Sequence, residues 1–272
     1  MFYGNKAVSA VFLVAMLAVA AAFAAPAHAG AREEGRLLVA TEVLEEVQAM
    51  PDQRLPDTLL SRAYGIAVIP DVTKVAFIFG GRHGNGVLVV RDTLTSPWSN
   101  PVFVSLTGGS WGFQAGAQSY DIILVFTTRA GIEGISGGKI TLGADVSVAT
   151  GPVGRQGSAA TDVNLAEIYS YARTRGLFGG IALDGSVIAI DKSADSAFYA
   201  KDGVTATAIF SGQAPTPPAT AQRFLERLAQ ATGTAVRGSP APQADTPAAQ
   251  AAPGNAPQNA EAARTYPLED QK

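Results

Sequence analysis

The sequence contains no cysteine. That excludes disulfide staples, thiolate metal sites and a cysteine nucleophile, and it leaves no thiol for lipid attachment. Histidine is almost as scarce, with His28 and His83 the only two. Charge is thin as well: 16% of residues are charged against 47% hydrophobic, and the 20 Lys and Arg are scattered along the chain. With a formal net charge of -3 there is no basic footprint for nucleic acid, and bulk charge does not draw the protein to anionic lipid. A chain without covalent staples must rest on its core.

One apolar run stands apart from the rest. Lys6 is followed by an apolar run from 7 to 25, broken only by Ser9, then Pro26 and the small-residue triplet Ala27-His28-Ala29. This is the n-region, h-region and cleavage site of an export signal, with the cut expected before Gly30. The run approaches membrane-spanning length, but it is Ala-rich and no basic stop-transfer cluster follows it. The expected location is therefore outside the cytoplasm, periplasmic or secreted. Any membrane contact would be peripheral, through the folded surface. Cleavage removes His28 and leaves His83 as the single imidazole.

Residues 33–50 carry Leu37, Ala40, Leu44 and Val47 three or four apart among several glutamates, the pattern of an amphipathic helix with an acidic outer face. Pro56-Asp57 opens a shorter helix. From residue 65 the period changes to that of strands. Asn85-Gly86 and Asp184-Gly185 read as two-residue hairpins. Residues 111–118 and 140–148 alternate like half-buried strands, and residues 122–126 lack alternation, as a strand covered on both faces does. Twenty of the 29 glycines lie between Gly80 and Gly185, several inside these strands, where glycine marks sharp bending or close approach. The fold class expected is α+β: a glycine-rich, strongly curved, mainly antiparallel sheet, barrel-like, with N-terminal helices and a C-terminal helix on which Phe224, Leu225 and Leu228 share a face. Residues 30–232 read as one domain, and the Pro/Ala-rich 233–272 as a disordered tail.

Enzymatic motifs fail on inspection. Gly134-Ile135-Ser136-Gly137-Gly138 fits G-x-S-x-G, but an elbow needs a strand before the serine, a helix after it and a later histidine, and none follows His83. The segment reads as a glycine-rich loop. Residues 80–86 lack the Lys-Ser/Thr of a P-loop and read as a hairpin loop, while 151–155 reads as a turn in which Arg155 could hold an anion. Asp121, Asp145, Asp162, Glu167, Asp184 and Asp191 show no acid/base spacing. No enzyme, cofactor or metal is expected.

The order of several motifs carries a resemblance. Phe79-Gly80-Gly81-Arg82-His83-Gly84-Asn85-Gly86-Val87-Leu88-Val89, then Trp98 with Pro101, Gly109-Ser110-Trp111-Gly112-Phe113-Gln114-Ala115-Gly116-Ala117-Gln118, Leu142-Gly143-Ala144-Asp145 with Gly151-Pro152-Val153-Gly154-Arg155, and Tyr169-Ser170-Tyr171 before Gly176-Leu177-Phe178-Gly179-Gly180 together resemble the SYLF family over residues 36–231. The resemblance implies a non-enzymatic domain that binds lipids, phosphoinositides and other phospholipids among them, and in yeast members actin. Bacterial members are exported envelope proteins, and an exported chain would not ordinarily meet actin. The basic N-terminal segment tied to membrane attachment in eukaryotic members is acidic here.

The expected partner is thus a lipid or membrane surface, with no nucleic acid. Loop tryptophans, intrastrand glycines and isolated cations nominate Arg82, Trp98, Trp111, Lys139, Arg155 and Phe178 as contacts. The alternative is an envelope interaction module that binds protein or polysaccharide, with the tail as a spacer.

Overall fold

The spacing of apolar residues near the N-terminus becomes helix α1 (Ala31–Gln48), which buries Leu37, Ala40, Val43, Leu44 and Val47 and exposes Glu42, Glu45 and Glu46. Glu33 and Glu34 occupy its first turn, where the helix dipole favours negative charge. The structure is a computed structural model that describes residues 30–50, 54–76, 79–111, 116–151, 166–174 and 177–234. All of these fall in the unit Met1–Ser239; the second unit, Pro240–Lys272, and the expected signal at 1–29 lie outside the described residues. Pro56, extended at φ -61° and ψ 131°, opens the short α2 (Asp57–Ser61).

Among the described residues nine strands follow: β1 (Gly65–Ala76), β2 (Phe79–Val90), β3 (Val102–Trp111), β4 (Gly116–Phe126), β5 (Lys139–Thr141), β6 (Val148–Thr150), β7 (Ile168–Thr174), β8 (Leu177–Gly180) and β9 (Val187–Ile190). They join in the order β5-β9-β3-β2-β1-β4-β7-β6, with β8 also on β7, as one strongly curled half-barrel. Every pairing is antiparallel except β6 with β7. Helix α3 (Arg129–Ser136) follows β4, and α4 (Lys192–Phe198), α5 (Ala206–Phe210) and α6 (Ala219–Thr232) complete the described domain. The fold class is the α+β, curved-sheet arrangement expected.

Both faces of the sheet are buried, so its central strands carry apolar residues at successive positions. Ile66, Val68, Val87, Val89, Ile123 and Val125 meet the helical layer of α1, α2 and α6. The alternate residues Ile69, Leu88, Val104, Leu106, Ile122 and Leu124 fill the other side with Ile135 of α3 and Ile140, Leu142 and Ile188. Residues 122–126 are the doubly covered strand expected.

Several local expectations are corrected. Asn85-Gly86 is not a hairpin, and residues 80–86 are not a loop: both lie inside β2, in register with β1 and β3. The cause lies across the ladder. Strand β1 bulges between Ile69 and Val72, with Asp71 at φ 50°, and crowds β2 there. A Cβ on Gly86 would stand 2.2 Å from the Val68 carbonyl oxygen, and one on Gly84 2.6 Å from Val72 Cγ2.

The alternating run 111–118 divides between two strands. Trp111 ends β3, Gly116 opens β4, and β2 and β1 lie between them in the sheet; residues 112–115 are outside those described. The run 140–148 is broken by a turn with Gly143 at φ 83°, leaving the short β5 and β6. Asp184-Gly185 does turn, with Gly185 at φ 73°, but β8 before it pairs with β7 and β9 after it pairs with β3 and β5. Ser136 ends a helix rather than sitting in a loop, and its Oγ donates to the Ile132 carbonyl at 2.9 Å.

Candidate ligand-binding cavity

Strand register brings together residues that lie far apart in sequence. Lys74 of β1 stands directly opposite Arg82 of β2 and Gln118 of β4, and Arg82 stands opposite Gly108 of β3. The row shares a face of the sheet with Val72 and Tyr120, which are partners in the same ladder. Directly opposed residues hold their Cβ atoms about 5 Å apart, so two cations are set side by side.

Together with Ser119, Tyr120, Ala172, Thr174, Ile181 and Ala182, these side chains line a cavity of about 650 Å³. Gly108 makes the site possible. A Cβ there would meet Ser186 Oγ at 2.5 Å and Arg82 Cγ at 3.2 Å, so only a bare glycine lets the arginine stem lie across β3. Arg82 Nη1 donates to the Ala182 carbonyl at 3.1 Å, whereas its Nε is buried without an acceptor. Burial raises the Tyr120 hydroxyl above its ordinary pKa, and the Arg82 charge pulls the other way.

Among the described residues neither Lys74 nor Arg82 has a carboxylate partner. The nearby Asp121 is engaged elsewhere: it accepts from the Asp71 backbone N–H at 3.0 Å and from Arg173 Nε at 2.8 Å and Nη2 at 2.6 Å. Arg173 also pairs with Glu46 of α1. Asp145 accepts from the Thr141 N–H, Glu167 from the Ser147 N–H, and Asp191 caps α4 through the Ala194 N–H. Those three carboxylates hold backbone amides. Among the described residues no three of His, Asp and Glu gather as metal ligands.

Of the six residues nominated from the sequence, Arg82 alone among those described lines this cavity. Trp98 is 1% exposed, and its indole N–H reaches the Thr232 and Thr234 hydroxyls at 3.1 and 3.0 Å. The Arg91 guanidinium lies 4.6 Å from the centre of the Trp98 ring. Phe178 is buried and stacked on Tyr171, with centroids 5.1 Å apart. As placed, both aromatics pack the core instead of meeting a ligand. Lys139 is exposed at the start of β5, three strands from β2 in the sheet order. Arg155 and the side chain of Trp111 lie outside what is described.

Lys74, Gln118 and Tyr120 were missed from sequence. The one available signal was a lysine two places after the core-type Val72 on an alternating strand.

Against known proteins, the family model described as "Ysc84: Las17-binding protein actin regulator" matches residues 107–231, from β3 to α6. "LAS seventeen-binding protein 3" of Saccharomyces cerevisiae is 37% identical over 172 residues, 62% of this chain and 37% of that protein. "Protein YSC84" of the same yeast is 36% identical over 172 residues, 62% of this chain and 36% of that one. The human "SH3 domain-containing YSC84-like protein 1" is 32% identical over 170 residues, 61% of this chain and 48% of that protein. The chain thus spans less than half the length of each of these three relatives. Its curled sheet and terminal helices, the ordered motifs along them and these matches agree in making the chain similar to the SYLF family over residues 107–231.

Proposed function

We propose that this chain is a non-enzymatic, exported protein of the cell envelope that binds phospholipid at a membrane surface. The observation that carries the reading is the cavity, where two cations stand together without a carboxylate among the described residues. Apolar side chains at the same end of the sheet add to it. Val75, next to Lys74, is 57% exposed, and Leu177, paired with the cavity-lining Thr174, is 66% exposed. A headgroup in the cavity and these side chains in the interfacial layer would bind one amphiphile at two points. Helix α1 is the poorer membrane face, because its outer side presents Glu42, Glu45 and Glu46. Among the described residues no helix is long and apolar enough to cross a membrane.

Export rests on the Lys6 to Ala29 signal. Helix α1 starts one residue after the expected cut, so cleavage before Gly30 would leave the described domain whole. N-terminal sequencing of the protein from its envelope fraction should begin at Gly30; an intact Met1 with cytoplasmic fractionation contradicts export. Co-sedimentation of the mature chain with neutral and anionic vesicles tests the main reading, and no binding to any composition overturns it.

A second reading, an interaction module for an envelope protein or polysaccharide, draws on the relatives, whose names describe Las17 binding and actin regulation. Those partners belong to those proteins. A cross-linked partner recovered from the intact envelope, together with vesicles that do not bind, would favour this reading.

A further inference from the structure

We infer that the Lys74–Arg82 cavity is a site for a phosphomonoester dianion, which deepens the phospholipid reading and rests on it for the membrane source of that group. Like charges directly opposite each other on neighbouring strands repel, and sheets ordinarily avoid them. Here the pair lines a cavity and is partly withdrawn from water, where screening is weaker than at an open surface. Two positive charges within one cavity complement a group carrying two negative charges better than a phosphodiester carrying one.

The donors suit the same group. Lys74 offers three ammonium hydrogens, the Arg82 guanidinium has donors beyond the one given to Ala182, and Gln118 and Tyr120 add an amide and a hydroxyl on the same face. Asp121, next to Tyr120 in β4, points to the other face of the sheet, where Arg173 and the Asp71 N–H hold it, so it does not neutralise the pair. Around Gly108 the Arg82 Nε and the fully buried Ser186 Oγ are both without a hydrogen-bond partner, so the polar groups behind the cavity are incompletely satisfied in the free protein.

The test uses the mature chain, its K74Q and R82Q variants, and K139Q as a control that removes one exposed cation elsewhere. The probes are vesicles of phosphatidylcholine alone, phosphatidylcholine with phosphatidylglycerol, and phosphatidylcholine with phosphatidic acid, beside soluble glycerol 3-phosphate at constant ionic strength. The expected result is tighter binding to phosphatidic acid than to phosphatidylglycerol. Glycerol 3-phosphate should raise the melting temperature of the parent chain, and K74Q and R82Q should each lose about tenfold or more in affinity while K139Q does not.

In phosphate-free, low-salt buffer K74Q should melt no lower than the parent, because it relieves the repulsion; a merely structural lysine would show a fall. Equal binding to both anionic vesicles with no difference among the three variants overturns the site and leaves the membrane reading standing. Glycerol 3-phosphate binding that K74Q and R82Q abolish, with no vesicle bound, upholds the site with a soluble phosphate ester as its source and overturns the membrane reading. No response to any probe overturns both.

Discussion

Arg91 is 4% exposed yet has no carboxylate partner among the described residues. Its Nε donates to the Ala63 carbonyl at 2.6 Å, Nη2 to those of Leu60 and Ser61 at 3.2 and 3.0 Å, and Nη1 to that of Leu94 at 2.7 Å. Burial draws its pKa down, but carbonyls at the C-terminal end of α2 and the Trp98 ring face stabilise the cation. R91M would strand several buried carbonyls, so urea unfolding should show a loss of about 3 kcal/mol or more; a loss under about 1 kcal/mol would contradict this account. Asp195 is the opposite case, a fully buried carboxyl with Oδ1 accepting the Phe103 N–H at 2.8 Å and Oδ2 unpartnered. Burial raises it to about 7, the Phe103 N–H pulls it down and the Asp191 charge pushes it up. In the unfolded chain it titrates near its ordinary 3.8, so between about pH 4 and 7 the folded state keeps a proton that the unfolded state has released. Stability should therefore fall as pH rises through that window, by up to about 4 kcal/mol, and level off above it. For Asp191 burial acts upward, but Ser193, the Ala194 N–H and Arg36 outweigh it and hold its pKa low, so its contribution is lost only at more acid pH. Urea midpoints measured from pH 5 to 8 should slope downward in the parent chain and run flat in D195N; equal slopes would remove Asp195 as the cause.

Strands β1 and β2 show what a local pattern reveals and what it hides. Glycine inside a strand did signal close approach, and Gly84 and Gly86 bear that out against the β1 bulge. G86A should lose about 3 kcal/mol or fail to fold, because the added Cβ meets backbone rather than a movable side-chain tip. G109A, in the neighbouring β3 with nothing within 4 Å, should be neutral or slightly stabilising by thermal melting. Comparable losses in both variants would discard the close-approach explanation. Asn85-Gly86 was misread as a turn because an Asn-Gly pair looks the same in a hairpin and opposite a bulge; the bulge that decides between them sits at Ile69 to Val72 of another strand. Residues 122–126 were legible because burial on both faces is written directly into the residues, and the helix faces of α1 and α6 were legible for the same reason. The cavity was half legible. Arg82 stood out as an isolated cation among glycines, but Lys74 becomes its neighbour only through register. Trp98 and Phe178 look like ligand contacts by residue type, yet the distant Thr232 and Thr234 for the first, and Tyr171 on the neighbouring strand for the second, make them core.

The described domain is closed by its two ends. Helix α1, at the beginning, and α6, at the end, lie together over one face of the sheet, with Leu37, Leu44 and Val47 in the same core as Phe224, Leu225 and Leu228. Two side-chain bridges tie the same pair of helices, Glu45 to Arg227 at 2.6 Å and Thr220 to Glu34 at 3.3 Å. Trp98 adds a link from the loop after β2 to Thr232 and Thr234, so ordered packing extends through Thr234. Most of this closure joins residues more than a hundred positions apart, which makes it cooperative and slow to form. Burying Phe224, Leu225 and Leu228 contributes about 2 kcal/mol or more for each side chain, and together that rivals the net stability of an ordinary domain. A chain of residues 30–234 should therefore unfold in a single transition, with tryptophan fluorescence and far-UV circular dichroism coinciding. A chain ending at Pro218 should lose its near-UV signal and bind an apolar dye such as ANS while retaining strand content, since the α1 stripe and the sheet beneath it are uncovered together. If the shorter chain instead melts cooperatively within a few degrees of the longer one, α6 is an appendage, and the sheet with α1 and α2 is the self-sufficient unit.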